Sequence, residues 1–231
     1  MVASFLADGP VISGERCTGV ILAGGGSTRF GGRAKGLEVI GAERIIDRVA
    51  SALRQACDDL LLIAAHEDAH GWLPGIRVAG DVRPGLGPLG GLHGALTHAG
   101  GAIIAIAWDM PFVPDELVAR LRAEGEGAVF SAAAARPDAV VPRRVDGTTE
   151  PLCAFYSASC LEPMERALDR GARHCSAFHE EVLVRWLSEE YLPAGRDGMP
   201  ALASINSRAE LARARERVAA WGHRHPSPPG R

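Results

Sequence analysis

The chain has 231 residues, of which 25 are basic and 28 are acidic, so its formal net charge is −3. Hydrophobic residues make up 47% of the sequence, which excludes a disordered or collagen-like chain, because such chains bury too little apolar surface to offset the entropy of ordering. The faintly acidic balance argues against a nucleic-acid partner, since nonspecific binding needs clustered Lys and Arg. An anionic ligand must therefore be bound by a local site.

The cysteine pattern and the lengths of the apolar runs indicate the cellular compartment. Five cysteines are present without a C-x-x-C pair, and an odd count in a chain with this much core argues against a disulfide framework. The longest apolar runs have about the length of a strand, far short of the ~20 residues of a membrane helix. Residues 1–16 lack the pattern of a signal peptide. We expect a cytoplasmic protein that does not associate with membranes.

In the first half of the chain, short apolar runs alternate with amphipathic stretches. A strand is predicted over Cys17–Leu22, a glycine-rich loop over 23–36, and a helix with one apolar face over 45–57. Further strands are predicted over 60–65, 76–79 and 102–108, and further helices over 89–99 and 114–122. This alternation predicts an α/β fold with three layers, in which a mostly parallel sheet carries helices on both faces.

The second half of the chain is less regular. Strands are predicted over 128–132, 140–142 and Cys153–Tyr156, and helices over 159–170, 176–188 and 208–221. Ser207 is the expected N-cap of the last helix. No linker is long enough to separate domains, so we expect a single domain over 17–222. A short extension, 1–16, precedes it, and the proline-rich, polar segment 223–231 is expected to be a disordered tail.

The glycine-rich loop that follows the first strand reads LAGGGSTRFGGRAKG over residues 22–36. Backbone N–H groups without Cβ obstruction can close on phosphate oxygens at such a position. Arg29 stands where a dinucleotide-binding fingerprint needs its third glycine, and Lys35 is not followed by the Ser or Thr of a P-loop. A glycine-rich turn without a ligand is the alternative, but two cations within the loop favour an anionic ligand.

This loop resembles the signature L-A-G-G-x-x-x-R-M-G-G-x-D-K-G-L of the molybdenum cofactor guanylyltransferase family. Three later segments agree in order and spacing. Residues 81–92 are similar to D-x(n)-G-P-L-A-G, residues 108–114 to C-D-x-P-[FY]-[IL]-P, and residues 204–211 to N-[IV]-N-T-P-E-[DE]-L. The resemblance implies a Rossmann-like nucleotidyltransferase fold. It also implies transfer of GMP from GTP to the phosphate of molybdenum-molybdopterin, with release of pyrophosphate.

Chemistry and resemblance together assign the candidate site residues. Asp109 follows a predicted central strand, where ligands bind in open α/β sheets, and its carboxylate suits Mg²⁺, with Mn²⁺ as a substitute. Lys35 and Arg29 are the other expected catalytic residues, because they would neutralise charge on the phosphates. The resemblance implies nucleotide contacts for Leu22, Ala23, Gly24, Gly25, Lys35, Asp81 and Asp109, and second-substrate contacts for Gly87, Pro88, Leu89, Gly90, Gly91 and Asn206. Helix capping by Asp109 and a solvated strand-end carboxylate at Asp81 are the alternatives.

The chain departs from the family pattern at three positions: Ala34, Ala65 and Ser204 stand where the family has Asp, Asn and Asn. These departures leave open a cytidylyltransferase or another nucleotidyltransferase acting on a cofactor or sugar phosphate. They also leave open a domain that binds a nucleotide without turnover. Gly24 and the glycine pair 31–32 favour guanine, because cytidylyl relatives usually read L-A-A-G and lack that pair.

A second motif and the expected partners complete the sequence-based predictions. Residues 66–70 match the zinc-protease pattern H-E-x-x-H, but the pattern works only on a helix. Here it follows a strand directly and soon meets Gly71 and Pro74, which favours a chance match in a loop. We expect a monomer that uses GTP and a molybdopterin-type compound and that contacts cofactor-insertion proteins transiently.

Overall fold

Strands and helices alternate through the parts of the chain that the computed structural model describes, residues 16–24, 34–127 and 135–225. The strands are β1 (Cys17–Leu22), β2 (Val39–Ile40), β3 (Glu43–Arg44), β4 (Asp59–Ile63), β5 (Arg77–Ala79), β6 (Ala102–Ala107), β7 (Ala139–Arg143), β8 (Cys153–Tyr156) and β9 (Val184–Ser188). The helices are α1 (Ile45–Arg54), α2 (Gly87–Ala99), α3 (Asp115–Gly125), α4 (Leu161–Asp169) and α5 (Arg208–Arg224). The strand predicted over 128–132 lies outside the described residues, as do Gly25 and Arg29.

Seven strands form the central sheet in the order β5-β4-β1-β6-β8-β7-β9. The pairs β5–β4, β4–β1, β1–β6 and β7–β9 are parallel, whereas β8 is antiparallel to both of its neighbours. Within this described sheet, β8 therefore runs against the direction that the other six strands share. The prediction of a mostly parallel α/β sheet is confirmed.

Helices cover both faces of the sheet because its strands are apolar on both sides. All six residues of β1 are buried, and its successive side chains enter different cores. Ile21 packs in one core with residues of α1 and α3, and Val20 packs in the other with residues of α2 and α4. Strands that are apolar on both faces are typical of sheets covered by helices on both sides. The three-layer prediction is thus also confirmed.

The helix α5 packs at the side of this structure in a third, smaller core. Leu211 and Ala214 contact Phe112 and the end of β2 there. Ser207 caps the helix as predicted, because its Oγ accepts a hydrogen bond from the Glu210 N–H at 3.2 Å. The helix continues to Arg224, three residues beyond its predicted end at residue 221. No helix in the described ranges is long and apolar enough to cross a membrane.

The predicted helix over 176–188 is wrong. This segment contains a short 3₁₀ helix, His179–Glu181, followed by the edge strand β9. β9 pairs in parallel with β7, so that Val184 lies opposite Ala139. Strand formation depends on such neighbours more than on local propensity, and these neighbours are far apart along the chain. The hairpin of β2 and β3 was not predicted, and α1 ends at Arg54, before the expected residue 57.

Candidate active site

The carboxyl ends of β1, β4 and β6 meet at one edge of the sheet. β1 ends at Leu22, and the adjoining strands end at Ile63 and Ala107. Backbone pairing continues past these ends, because the Ala23 N–H donates to the Ile63 carbonyl at 2.8 Å and the Trp108 N–H donates to the Leu22 carbonyl at 3.1 Å. Open α/β sheets bind their ligands at such an edge.

Lys35 and Asp109 form an ion pair at this edge. The Nζ atom of Lys35 lies 2.5 Å from Oδ2 of Asp109 and 3.4 Å from Oδ1 of Asn206. The two charged side chains are 16% and 14% exposed. The fold therefore brings together three residues that the sequence analysis placed in the same site from separate motifs. Lys35 is also the only lysine in the sequence, since every other basic residue is arginine.

The loop before α5 delivers Asn206 to this pair. The Ile205 N–H donates to the main-chain carbonyl of Asp109 at 2.8 Å, which ties the loop to the end of β6. The Asn206 N–H donates to Oε2 of Glu210 at 2.6 Å, and its side-chain Nδ2 donates to Oγ of Ser204 at 2.9 Å. Ser204, where the family has Asn, thus orients Asn206, the second asparagine of the family pattern, which this chain keeps.

The carboxylate of Asp109 does not cap a helix. The helix α3 begins at Asp115 with Pro114 as its N-cap, and no side chain accepts a hydrogen bond at that cap. The turn after β6 is closed instead by the Met110 N–H, which donates to the Ala107 carbonyl at 3.1 Å. The helix-capping alternative for Asp109 is therefore wrong.

A cavity of about 260 Å³ opens beside Asp109. Its walls come from the ends of the parallel strands, from the segment after β5 and from the start of α2. Of the residues predicted to contact substrates, those that line it are Leu22, Gly24, Asp81, Gly87, Pro88, Gly91 and Asp109. Two groups from separate sequence motifs, the nucleotide set and the second-substrate set, thus share one cavity.

Asp81 lies in the wall of this cavity, two residues after β5. It is half-buried, and burial raises the pKa of its carboxyl above the ordinary value for Asp. A fully solvated strand-end carboxylate would not be shielded in this way. This partial burial favours the predicted nucleotide contact over the alternative of a solvated strand-end carboxylate.

The segment from Gly87 to Gly91, which the resemblance assigns to the second substrate, is the first part of α2. Gly87 has a φ of 70°, a left-handed conformation that favours glycine, and a Cβ there would lie 3.3 Å from the Arg173 carbonyl oxygen. The Leu89 side chain is buried in the core, and its N–H donates to that same carbonyl at 3.1 Å. Neither the amide nor the side chain of Leu89 is therefore free for the second-substrate contact that the resemblance implies for this residue. Gly90 faces Leu86.

Sequence reasoning missed Glu150, which lies just before β8. Because β8 is antiparallel to β6, the chain that enters β8 lies at the carboxyl edge of the sheet, and the Ala107 N–H donates to the Leu152 carbonyl at 2.8 Å. Burial raises the pKa of Glu150, a hydrogen bond from Arg144 at 3.0 Å opposes this shift, and the negative charge of Asp109 adds to it. No motif or spacing in the sequence indicates that Glu150 lies near Asp109.

The H-E-x-x-H segment does not form the α-helix that a zinc protease needs. It forms a 3₁₀ helix over Glu67–Gly71, with His66 as its N-cap. The Nδ1 atom of His66 accepts a hydrogen bond from the Asp68 N–H at 3.1 Å. The two histidines therefore do not stand one α-helical turn apart on one face.

Comparison with known proteins identifies the class to which this fold and site belong. The family model described as the MobA-like NTP transferase domain matches residues 19–182. The protein is thus a nucleotidyltransferase. More narrowly, the chain belongs to the MobA-like NTP transferase family.

Individual relatives match nearly the whole chain. The chain is 35% identical over 208 residues to the molybdenum cofactor guanylyltransferase of Desulfosudis oleivorans, covering 89% of this chain and 98% of that protein. It is also 35% identical to the probable molybdenum cofactor guanylyltransferase of Pelotomaculum thermopropionicum, covering 87% and 92%. The crystal structure of molybdopterin-guanine dinucleotide biosynthesis protein A from Archaeoglobus fulgidus superposes with a TM-score of 0.71 at 27% identity, covering 88% and 99%. The predicted nucleotidyltransferase fold is thereby confirmed.

Proposed function

We propose that this protein transfers GMP from GTP to the phosphate of molybdenum-bearing molybdopterin and releases pyrophosphate. The observation that carries the proposal is the Lys35–Asp109 pair, 2.5 Å apart, whose carboxylate lines a cavity together with members of both predicted substrate sets. The names of the relatives with 35% identity support the same reaction. The product would be the guanine dinucleotide form of the cofactor.

In this reaction an oxygen of the molybdopterin phosphate attacks the α-phosphorus of GTP. The new P–O bond forms as the bond to the bridging α–β oxygen breaks, and pyrophosphate leaves. Negative charge develops on the nonbridging and leaving oxygens, so the protein acts mainly by positioning and electrostatic stabilisation. Lys35 provides a compact cation for that charge, and its contacts with Asp109 and Asn206 hold it in place beforehand. Arg29 is proposed as a second cation on the strength of the loop sequence.

Asp109 is the residue that we propose holds Mg²⁺, or Mn²⁺ in its place. Within the described ranges, no group of three or more His, Cys, Asp or Glu side chains could hold an ion. One carboxylate beside a nucleotide cavity suits Mg²⁺, which in nucleotide enzymes is bound by one or two carboxylates together with phosphate oxygens and water. When bound, the ion would neutralise charge on the triphosphate.

The nucleoside of GTP is proposed to lie against the end of β1, with contacts from Leu22, Ala23, Gly24, Gly25 and Asp81. Among the residues that the structure describes, none lies within 4 Å of a Cβ built on Gly24. The second substrate is proposed to lie near Gly87, Pro88, Gly91 and Asn206. We also place the activity in a cytoplasmic monomer, and the five free thiols support a reducing compartment.

The test is a panel of GTP, CTP, ATP and UTP, with calorimetric binding in the presence of Mg²⁺ and pyrophosphate release in the presence of molybdenum-bearing molybdopterin. We expect GTP to bind at least about tenfold more tightly than CTP, because the wrong base leaves buried polar groups unpaired. Equal affinities or a preference for CTP would favour a cytidylyltransferase. Binding without pyrophosphate release from any nucleotide would contradict the proposed reaction.

A further inference from the structure

The residue directly before Asp109 is a tryptophan, where the signature of the family has cysteine. The Trp108 side chain is buried, at 3% exposure, and its ring stacks on that of Trp72 with centroids 5.3 Å apart and planes 18° apart. Its Nε1 atom has no hydrogen-bond partner among the described residues. Packing, and not a hydrogen bond from the side chain, therefore holds this ring in place.

The Trp108 ring also packs against the turn that carries Lys35. A Cβ built on Gly36 would lie 2.3 Å from Cε3 of Trp108 and 3.0 Å from its Cδ2 and Cζ3 atoms. No real Cβ approaches another atom so closely, so a side chain at residue 36 would displace the ring or the turn. Gly36 is not among the glycines with a positive φ. The backbone conformation of Gly36 would accept alanine. The indole ring of Trp108 is what leaves no room for the alanine Cβ.

We propose that Trp108 is a positioning residue that sets the placement of Lys35 relative to Asp109. Its ring supports the turn beside Lys35, its own backbone continues into Asp109, and its N–H anchors both to β1 through the Leu22 carbonyl at 3.1 Å. The cation and the carboxylate thus share one rigid support. Errors of about 1 Å in such placement can reduce turnover about 10²-fold. The inference rests on the proposed role of Lys35 in nucleotidyl transfer.

A double-mutant cycle between residues 36 and 108 tests this inference. Kinetic constants for GTP and the Kd of Mg-GTP are measured for Gly36→Ala, Trp108→Cys and the double variant, well below their melting temperatures. We expect Gly36→Ala to lower kcat about 10²-fold and Trp108→Cys to lower it about tenfold. The double variant should be no worse than Trp108→Cys alone, because the ring that the new methyl group meets is gone.

The unique lysine offers a readout that does not depend on turnover. Amine-reactive labelling, followed by mass spectrometry of the peptide that contains Lys35, reports how well Asp109 shields its amine. We expect Trp108→Cys and Gly36→Ala to label several-fold faster than the wild type, and the double variant to label no faster than Trp108→Cys. A ring that is merely structural would lower the melting temperature without changing labelling at 20 °C below it.

Two conservative variants and a matched glycine serve as controls. Trp108→Phe keeps a flat aromatic ring but is smaller, because it lacks the second ring of the indole, so it should restore only part of the activity that Trp108→Cys loses. Gly71→Ala adds a methyl group that has no described residue within 4 Å and should leave kinetics and labelling unchanged. Trp186→Phe changes an exposed tryptophan, at 40% exposure, and should also be silent.

The outcomes separate this inference from the proposed function. If the losses of the two single variants multiply in the double variant, the ring does not act through residue 36 and the inference is overturned. If Gly36→Ala does not fold, adding Trp108→Cys should restore folding, and failure to do so also overturns it. If the wild type transfers no guanylate, the proposed function fails, while the coupling in labelling and in Mg-GTP affinity still decides whether Trp108 positions Lys35.

Discussion

Lys35 and Asp109 meet where water has little access, and this affects what a substitution at either position reports. Charges that are partly buried are screened less by salt and solvent than exposed ones. Removing one partner leaves the other charge shielded and uncompensated, which destabilises the fold apart from any effect on catalysis. Measurements on either residue therefore need a stability readout beside the kinetic one.

Asp109→Asn keeps the shape of the side chain and removes its charge. We expect product formation to become barely detectable at saturating GTP and the affinity for Mg²⁺ to fall, because the proposed metal ligand is then neutral. Guanylyl transfer measured against Mg²⁺ concentration, beside a melting curve, checks this expectation. An active variant with unchanged metal dependence would remove the centre of the proposed mechanism.

Lys35→Ala should lower turnover by roughly 10²–10³, the scale for losing one preorganised group that stabilises charge in the transition state. Lys35→Arg should rescue poorly, because a planar guanidinium does not occupy the place of a compact ammonium. The melting temperature should change little for Lys35→Arg, which keeps a charge opposite Asp109. Near-normal rates for Lys35→Ala would show that this loop does not bind the phosphates.

At the scale of elements, α2 matters through the way it begins. Its first residue is held in a left-handed conformation against the Arg173 carbonyl, and that carbonyl also accepts the Leu89 N–H. The loop that contains Arg173, between α4 and the buried Cys175, thus fixes the N-terminal end of α2, and that end lines the cavity. We expect binding of the second substrate to depend on the orientation of this end of α2 and not on the identity of its side chains.

Two glycines at opposite ends of α2 make a matched test of that expectation. Gly87 and Gly100 have φ values of 70° and 67°, so alanine at either should cost about 1–2 kcal/mol of stability. A Cβ at Gly100 would have no neighbour within 4 Å in the described part of the chain, whereas one at Gly87 would press on Arg173. We expect Gly87→Ala alone to raise the KM for molybdopterin. Equal KM values for the two variants would contradict a role for this end of α2.

At the scale of the whole molecule, stability should depend on pH through a buried histidine. His179 packs among Phe178, Tyr156 and Trp186, and neither ring nitrogen has a hydrogen-bond partner among the described residues. Burial lowers its pKa to about 4, against about 6.5 in an unfolded chain. Between these values the unfolded chain binds a proton that the folded protein does not, so the free energy of unfolding falls as the pH falls.

We therefore expect the wild type to lose roughly 2 kcal/mol between pH 7 and pH 4.5 through this residue. His179→Phe keeps an aromatic ring in the same packing and cannot be protonated. Urea denaturation of both proteins across this range isolates the histidine, because all other titrating groups are shared. Parallel profiles for the two proteins would mean that His179 does not contribute to the pH dependence.

Local patterns in the sequence were enough to predict most strands of the sheet and to propose the residues of the candidate site. The bounds of β1 and β8 follow from short apolar runs. The cap at Ser207 follows from a side chain that can accept a hydrogen bond from an N–H in the first turn of its helix. Lys35 and Asp109 could be placed together because both lie beyond parallel strands or in their loops, and such strands bring their carboxyl ends to one edge. These rules concern residues that are close along the chain and the topology of parallel sheets, and both can be inferred from a single sequence.

Other features were decided only by contacts between residues far apart along the chain. β9 is a strand because β7 lies beside it, and Leu89 has no free amide because Arg173 reaches it. Glu150 lies near Asp109 because β8 turns back along β6. Gly36 must be a glycine because the Trp108 ring covers it. None of these pairings has a period or a spacing in the sequence, since each depends on which surfaces meet once the layers have packed.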